Sequence, residues 1–327
     1  MNYLVTGGGG FIGSHLVDRL LRDGHRITVL DNFSTGRHEN LSQHRGNPDL
    51  RIVAADVADL DRIKPCFDDI EIVCHLAALA DIVPSIINPV SYYRSNVSGT
   101  TAVVEAARTA GVKKLVYAAS SSCYGIPNIY PTPETSEIQP QYPYALTKYL
   151  GEQIALHWGK VYKLPVTSLR LFNVYGPRSR TSGAYGAVFG TFLTQKLHHK
   201  PYTVVGNGSQ TRDFIFVTDV AEAFVMAAES NYPQEVMNVG SGSSYSINSL
   251  VELLRGDVVH IPKRPGEPDQ THADIIKIKR LLGWEPRVTF EAGVNILLNH
   301  IDHWREAPLW TPDSIGEATK DWFKYLS

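Results

Sequence analysis

The amino-acid sequence predicts an α/β protein with a doubly wound parallel sheet, followed by a smaller and less regular C-terminal domain. Two observations support this fold class. In the first half, short apolar stretches alternate with segments of helical length, as when crossover helices join parallel strands. From about residue 177 the alternation gives way to segments rich in Gly and Pro. We therefore expect one domain over residues 1–176 and a second over 177–327, with segments that return to the first domain and a C-terminal tail.

The first domain contains short apolar runs that predict strands at 2–6, 26–30, 51–55, 71–77, 114–120 and 166–172. The first helix is expected over residues 11–21, where apolar residues recur with helical spacing and Gly24 follows as a stop. Segments of helical length at 97–110 and 144–162 separate the later strands. Because the carboxyl ends of parallel strands share one edge of the sheet, we expect a ligand to bind at that edge.

Composition and charge argue against several classes of partner. The 31 Lys and Arg residues nearly balance the 33 Asp and Glu residues, so no basic face for nucleic acid is indicated. No apolar run reaches eighteen residues, and the chain begins with "MNYLVTGGGG" rather than a basic region and an apolar stretch. We therefore expect a cytoplasmic protein that binds a small molecule and neither nucleic acid nor a membrane.

Cysteine and histidine spacing predicts neither a disulfide framework nor a metal site. Cys66, Cys74 and Cys123 are odd in number, widely spaced and mostly in apolar settings, which favours reduced thiols in the core. The twelve histidines lack metal-ligand spacing, since the neighbours His198 and His199 would point to different sides of a helix.

A glycine-rich turn, "TGGGGFIG", lies between the first predicted strand and the first helix. Gly7, Gly10 and Gly13 permit a tight turn and close approach of the backbone to a pyrophosphate, which the helix N-terminus also attracts. Asp31 follows at the tip of the second strand, where a carboxylate binds an adenosine ribose diol and repels a 2′-phosphate. The cofactor is therefore predicted to be NAD. Arg37 leaves NADP open, because an arginine can accommodate the extra phosphate.

Tyr144 and Lys148 are four residues apart in "PYALTK", at the start of a helix, and so lie on one face. This helix follows the strand that ends in "AASSS", near the edge where a nicotinamide would bind. An ammonium group about 6 Å away, at an effective dielectric constant of about 20, would favour the phenolate by roughly 2.8 kcal/mol. We therefore expect Lys148 to lower the pKa of Tyr144, and a serine at the strand tip to share the proton.

Further motifs extend along nearly the whole chain, and they read "AASSSCYG", "YPYALTK", "LRLFNVYGPR", "GNGSQTRDFIFVTDVAEA" and "HADIIKIKRLLGWEP". With these motifs the chain resembles the extended short-chain dehydrogenase/reductases, and in particular the NAD-dependent nucleotide-sugar epimerases of the UDP-hexose 4-epimerase type. The resemblance implies a Rossmann-type sheet and a C-terminal domain that binds the nucleotide sugar. It also implies that Tyr144 is the base and that Lys148 orients it and holds the nicotinamide ribose. The active hydroxyl stands four residues before Tyr124, at Ser120.

The two residues after Ser120 distinguish reactions within this family. Sugar 4,6-dehydratases that resemble this chain carry an Asp-Glu pair there, and UDP-glucuronate decarboxylases usually carry a glutamate in the second position. Here the positions are Ser121 and Ser122, which cannot remove a carbon-bound proton. The resemblance thus favours 4-epimerisation of a UDP-hexose through a 4-keto intermediate. Another nucleotide-sugar-modifying enzyme of the family and a non-catalytic NAD-binding sensor are the alternatives.

The resemblance also assigns binding roles, with Asp56 and Val57 as adenine contacts and Asn96 as a support behind the cofactor. The residues predicted to bind NAD are Gly7, Gly10, Phe11, Ile12, Gly13, Asp31, Asn32, Asp56, Val57, Leu76, Ala77, Ala78, Asn96, Tyr144 and Lys148. The residues predicted to bind the UDP-sugar are Ser121, Ser122, Asn173, Arg212, Arg264 and Thr271, of which the two arginines resemble the family's diphosphate ligands.

Thr271 is the position at which the resemblance predicts substrate size. It stands three residues before Asp274, where related 4-epimerases place a residue beside the sugar C2 substituent. Threonine is much smaller than the tyrosine that leaves room only for a hydroxyl, so N-acetylated UDP-hexoses should be accepted. The alternative is that Thr271 caps the following helix.

The resemblance further implies a homodimer that packs through the helix near 97–110 and the helix that begins near Tyr144. The C-terminal tail, from about residue 300, holds three tryptophans and departs from the short ends of typical epimerases. Its apolar content predicts that it docks, either across a dimer or over the substrate domain.

Overall fold

The computed structural model describes residues 1–181 and 188–326 of the chain. The strands are β1 Asn2–Thr6, β2 Arg26–Asp31, β3 Leu50–Ala54, β4 Ile72–His75, β5 Lys114–Ser120, β6 Val166–Leu171, β7 Asn173–Tyr175, β8 Tyr202–Val205, β9 Thr211–Arg212, β10 Phe214–Phe216, β11 Gln234–Val239, β12 Tyr245–Ser246 and β13 Val258–Ile261.

The α-helices are α1 Phe11–Arg22, α2 Leu60–Ile63, α3 Ile82–Ile87, α4 Pro89–Tyr93, α5 Gly99–Thr109, α6 Pro143–Tyr162, α7 Val188–Leu197, α8 Val217–Glu229, α9 Ile247–Leu254, α10 Ile276–Leu282, α11 Phe290–Asn299, α12 Pro312–Ala318 and α13 Lys320–Leu326. Short 3-10 turns occur at His38–His44, Lys64–Phe67, Ser121–Tyr124 and Ile301–Trp304, and a π-turn at Arg94–Ser98 joins α4 to α5.

The main sheet is parallel and, within the described residues, has seven strands in the order β11-β6-β5-β4-β1-β2-β3. Its central strands are nearly continuous apolar runs because helices cover both faces. Leu16 and Leu20 of α1 pack with Phe224 of α8 on one face. Val103 of α5 and Ala155 of α6 belong to the core on the other. The predicted fold class, a doubly wound α/β protein, is confirmed.

Local elements in the first half match the sequence prediction closely, and β5 has the predicted bounds. The helix expected at 97–110 is instead part of a longer run that starts with α4. The seventh strand, β11, was not anticipated. It comes from beyond residue 177 and pairs with β6 at the edge of the main sheet.

A second core holds the less regular half of the chain together. It is aromatic, and Tyr175 lies against Phe189 and Phe214 with ring centroids 4.6 and 6.0 Å apart. Phe290 of α11 stacks on Phe214 at 5.2 Å. Pairs of short strands surround this core: β7 with β10, β8 with β13, and β9 with β12. Strand β7 begins directly after the carboxyl end of β6, so the pair of β7 and β10 starts beside the carboxyl edge of the main sheet.

The C-terminal tail docks over the substrate side of the molecule rather than extending away from it. Trp304 is fully buried, and Trp322 of α13 is only 3% exposed. The Trp322 indole N–H donates a hydrogen bond to the carbonyl of Pro265 at 2.7 Å. The sequence left two docking sites open for the tail, a dimer partner and the substrate domain. In the structure the tail contacts the loop that follows β13.

The three cysteines are buried and unpaired. Across the described ranges, no helix combines the length and the apolar character that a membrane span requires.

Candidate active site

A cavity of about 680 Å³ lies at the carboxyl edge of the main sheet and extends between that sheet and the second core. This volume is typical of a ligand site. The glycine-rich turn, the ends of β4 and β5, the start of α6 and the C-terminal tail all contribute to its wall. Of the residues predicted from the sequence to bind NAD or substrate, all but Asp56 and Asn96 line this cavity.

The glycine-rich turn fits a pyrophosphate. Gly7 has φ of +70°, and a Cβ there would lie 2.8 Å from the backbone nitrogen of Ala77, so a side chain cannot be accommodated. The turn leads into α1, whose N-cap Gly10 makes no side-chain capping hydrogen bond. The N–H groups of the first turn of α1 therefore remain available to an anion beside the cavity.

Asp31 lies at the end of β2, where it lines the cavity next to Asn32. Its carboxylate accepts hydrogen bonds from the backbone N–H groups of Gly9 and Phe33, at 2.9 and 2.8 Å. These bonds fix the carboxylate and leave acceptor capacity for a ribose diol. The guanidinium of Arg37 is engaged elsewhere, because it donates to Thr181 at 3.0 Å and approaches His303 at 2.9 Å. The arrangement fits NAD better than NADP.

Asp56 and Asn96 do not line the cavity, and their side chains bind other parts of the protein instead. The Asp56 carboxylate binds Arg94 at 2.6 Å, while its neighbour Val57 lines the cavity. Asn96 is fully buried, and its amide both accepts from the backbone N–H of Leu79 at 2.8 Å and donates to the Leu79 carbonyl at 3.0 Å. The same amide donates to Thr147 of α6 at 3.0 Å. Asn96 thus braces the cavity loop after β4 against α6.

The predicted catalytic residues are brought together at the end of β5 and the start of α6. Ser120 is the last residue of β5, and its hydroxyl lies 2.8 Å from that of Ser122. Tyr144 is the second residue of α6, after Pro143, and Lys148 follows one turn later. The side chain of Lys148 is 5% exposed, and its Nζ lies 4.4 Å from the centre of the Tyr117 ring. Ser120, Tyr144 and Lys148 all line the cavity.

The electrostatic expectation for this group was wrong in sign. Burial raises the pKa of Tyr144, and the charge of Asp81 adds to that effect, while hydrogen bonding to Ser120 and Ser122 opposes it. Burial also lowers the pKa of Lys148 to about 7, against the opposing charge of Glu152. Burial therefore disfavours the charged form of Lys148. The hydrogen bonds with the two serine hydroxyls lower the pKa of Tyr144 and so favour the phenolate.

A buried ion pair joins the catalytic helix α6 to strand β6. Arg170 of β6 binds both carboxylate oxygens of Glu152 in α6, at 3.0 and 2.6 Å, and Ser168 donates to the same carboxylate at 2.8 Å. Arg170 also donates to the hydroxyl of Tyr124 at 2.9 Å. Sequence reasoning missed this network. The available signal was a charged residue within the apolar run 166–172.

Thr271 and Asn173 meet on the substrate side of the cavity. The Thr271 hydroxyl donates to Oδ1 of Asn173 at 2.7 Å and accepts from the backbone N–H of Asp213 at 3.0 Å. The following helix, α10, has Ile275 as its N-cap. Thr271 therefore does not cap that helix, and the capping alternative is wrong.

Arg212 and Arg264 converge on Glu267, which sequence reasoning did not identify. Arg212 donates to one carboxylate oxygen of Glu267 at 2.9 Å, and the Arg264 guanidinium lies 3.6 Å from the other. All three side chains line the cavity. Both guanidinium groups therefore face the cavity beside a single carboxylate, that of Glu267.

A second charged pair was also missed. Arg180 forms an ion pair with Asp81, and both residues line the cavity. Asp81 follows β4, and Arg180 belongs to the "GPRSR" segment after β7. The pair lies close enough to the catalytic group for the Asp81 charge to raise the pKa of Tyr144.

Comparison with known proteins adds to this geometry. Residues 3–240 match the model of the NAD dependent epimerase/dehydratase family. The chain belongs to this family. The match covers the glycine-rich turn, Asp31 and the Ser120, Tyr144 and Lys148 group, so the prediction of NAD as the cofactor is confirmed.

Individual members of the epimerase/dehydratase family match over most of the chain. A putative UDP-glucose 4-epimerase from Methanocaldococcus jannaschii is 37% identical over 90% of this chain and 97% of its own length. The crystal structure of UDP-glucose 4-epimerase from Thermotoga maritima with UDP-glucose has a TM-score of 0.85 at 34% identity, and covers 94% of this chain and 99% of its own. UDP-N-acetylglucosamine 4-epimerase from Methanobrevibacter ruminantium, in complex with UDP-N-acetylmuramic acid, has a TM-score of 0.86 at 34% identity, over 91% and 98% of the two chains.

The family also contains relatives with a different reaction. UDP-glucuronic acid decarboxylase 1 from Xenopus tropicalis is 32% identical over 91% of this chain and 71% of its own length. Family membership therefore establishes an NAD-dependent protein whose relatives act on UDP-sugars, and leaves the individual reaction and substrate to the residues of the site. Among residues 1–181 and 188–326, no three His, Cys, Asp or Glu side chains are grouped as metal ligands would be.

Proposed function

We propose that this protein catalyses the NAD-dependent 4-epimerisation of a UDP-hexose. The observation that carries the proposal is the composition of the catalytic group. Tyr144 faces Ser120 and Ser122, and the positions where eliminating or decarboxylating relatives carry acidic residues hold Ser121 and Ser122. The nearby carboxylate of Asp81 is paired with Arg180. The group is thus equipped to move the proton of a hydroxyl and not that of a carbon acid.

Different residues of the cavity bind different parts of NAD and of the UDP-sugar. The glycine-rich turn holds the NAD pyrophosphate, Asp31 holds the adenosine ribose diol, and Lys148 holds the nicotinamide ribose. Arg212 and Arg264 bind the diphosphate of the UDP-sugar. When bound, NAD accepts the hydride from the sugar C4 and returns it.

Tyr144 moves the proton that accompanies this hydride. As the C4–H bond breaks, the phenolate takes the proton of the 4-hydroxyl, and a 4-keto sugar forms. Ser120 and Ser122 stabilise the phenolate by hydrogen bonding. After the ketose rotates about its phosphate link, hydride returns to the other face of C4 and Tyr144 gives the proton back. Protons and electrons balance over the cycle, so no external oxidant or reductant is consumed.

The substrate class can be refined at Thr271, and we propose that N-acetylated UDP-hexoses are accepted. Its hydroxyl donates to Asn173, so the side chain leaves space in the cavity and does not extend across it. Selection at this position then depends on excluded volume. We also propose that the protein is a homodimer that packs through α5 and α6.

A panel of UDP-sugars, incubated with purified protein and no added NAD, tests the function. We expect the 4-epimer of at least one UDP-hexose to appear, with no net change in absorbance at 340 nm at equilibrium. Release of carbon dioxide from UDP-glucuronate would indicate a decarboxylase instead. Bound NAD without turnover of any sugar would support the non-catalytic sensor.

A further inference from the structure

The tail residue Trp322 contacts the loop that presents Arg264. Its indole N–H donates to the carbonyl of Pro265 at 2.7 Å, and the guanidinium carbon of Arg264 lies 5.5 Å from the centre of the indole ring. The side chain of Trp322 is 3% exposed although α13 is a short helix near the end of the described chain. Trp322 therefore contacts both the backbone of this loop, at Pro265, and the guanidinium group of Arg264.

Trp322 also lies near the start of the catalytic helix α6. Its ring centre lies 6.3 Å from that of Tyr142, the N-cap residue of α6. The Tyr142 ring is stacked in turn with that of Tyr144, with 6.4 Å between centres and 6° between planes. All three aromatic side chains line the cavity. The tail thus forms part of the site wall, between the diphosphate arginines and the catalytic tyrosine.

We propose that Trp322 is a positioning residue for the diphosphate of the UDP-sugar, which it serves by holding Arg264 in its binding orientation. A guanidinium binds paired phosphate oxygens through N–H groups in its own plane, whereas an aromatic ring contacts its face. The Trp322 ring therefore restrains the Arg264 guanidinium through a cation–π contact rather than through a hydrogen bond to its N–H groups. An arginine ordered in advance loses less side-chain entropy when it binds. The inference rests on the proposed function, since it assumes a UDP-sugar as ligand.

Calorimetric titration of the full chain with UDP tests this role without requiring turnover. We expect Trp322→Ala to weaken UDP binding about tenfold, within the range of a partly desolvated cation–π contact. Trp322→Phe keeps a ring and loses the hydrogen bond, so its loss should be smaller. Tyr325→Ala is the matched control, because Tyr325 lies on the same helix and is 61% exposed. In turnover assays the KM for the UDP-sugar should rise while kcat changes little.

A double-mutant cycle with Arg264→Ala separates positioning from a general structural effect. If Trp322 acts through Arg264, Trp322→Ala should cost little further UDP affinity in the Arg264→Ala background. Additive losses, or unchanged UDP affinity in Trp322→Ala, would overturn the inference. If Trp322→Ala does not fold, the same cycle with Trp322→Phe decides. A wild type that binds UDP but epimerises no sugar would refute the proposed function alone, whereas one that binds no UDP would refute both.

Discussion

The hydroxyl of Thr271 donates a hydrogen bond to Oδ1 of Asn173 over 2.7 Å. The hydroxyl is therefore already bonded within the protein, and the role that we propose for Thr271 in substrate choice rests on the space that its small side chain leaves. Thr271→Tyr should fill that space and abolish epimerisation of UDP-N-acetylglucosamine while activity on UDP-glucose is retained. Comparison of kcat/KM for the two sugars measures the effect.

Thr271→Val is the control for this substitution, because it keeps the volume and removes the hydrogen bonds. It leaves the backbone N–H of Asp213 without its acceptor, so we expect about 1–3 kcal/mol of lost stability. Its preference between the two sugars should match that of the wild type. Persistent turnover of UDP-N-acetylglucosamine by Thr271→Tyr would show that this side chain does not set the size limit.

Tyr144→Phe should reduce turnover by about 10²–10⁴-fold, because the ring remains and the proton-transferring hydroxyl is lost. The variant should still be purified with bound NAD, since Asp31 and the glycine-rich turn are unchanged. Epimerisation rate and NAD content, measured on the same preparation, check both statements. Near-normal turnover would contradict the assignment of Tyr144 as the base.

Asp81→Asn should move the acidic limb of the kcat/KM profile to lower pH. The charge of Asp81 raises the pKa of Tyr144, so removing that charge lowers the pKa and increases the phenolate fraction at a given acidic pH. Arg180, left without its acidic partner, would act in the same direction. Asp61→Asn, at an exposed position in α2, is the control. An acidic limb that stays in place or moves to higher pH would exclude electrostatic coupling of Asp81 to the base.

Glu152→Gln should destabilise the protein by about 3–5 kcal/mol, because it leaves the buried guanidinium of Arg170 without a charged partner. Denaturant unfolding measures the change. Asp302→Asn breaks an exposed pair with Arg305 and should cost less than about 1 kcal/mol. Equal effects of the two substitutions would mean that burial of the Glu152 pair is unimportant to stability.

The proposed homodimer predicts a substitution that dissociates it. Val90 and Tyr93 of α4 are 76% and 53% exposed, and Leu146 of α6 is 47% exposed. Leu146 belongs to a helix that the family resemblance assigns to the interface, and α4, which carries Val90 and Tyr93, packs against that helix. Val90→Asp should therefore shift the sedimentation coefficient from that of a dimer to that of a monomer. A wild type that sediments as a monomer at micromolar concentration would refute the dimer.

The sequence predicted those parts of the site that depend on local spacing. The glycine turn, the end of β5 and the first turn of α6 are short segments, and their positions at one sheet edge follow from parallel topology. The pKa of Tyr144 could not be predicted in this way, because burial depends on the whole fold. The contacts of Asp81 with Arg180 and of Trp322 with Pro265 join residues far apart in the chain, and neither has a periodic pattern.

Strand β11 illustrates another limit of local patterns. It continues the main sheet beside β6, yet it is separated from β6 by the elements of the second core. Its buried residues Met237 and Val239 belong to the same core as Leu16 and Phe224. Nothing in the six residues themselves specifies which neighbouring strand they pair with.

Because β11 follows the elements of the second core in the chain, the ribosome synthesises it well after β6, the strand with which it pairs. All six residues of β6 are buried in the finished protein, and one edge of that strand pairs with β11. While the intervening residues are still being translated, that edge of β6 carries unpaired backbone groups, the kind of edge that templates aggregation. The nascent chain must therefore keep a partly built sheet in solution until residue 239 has left the exit tunnel.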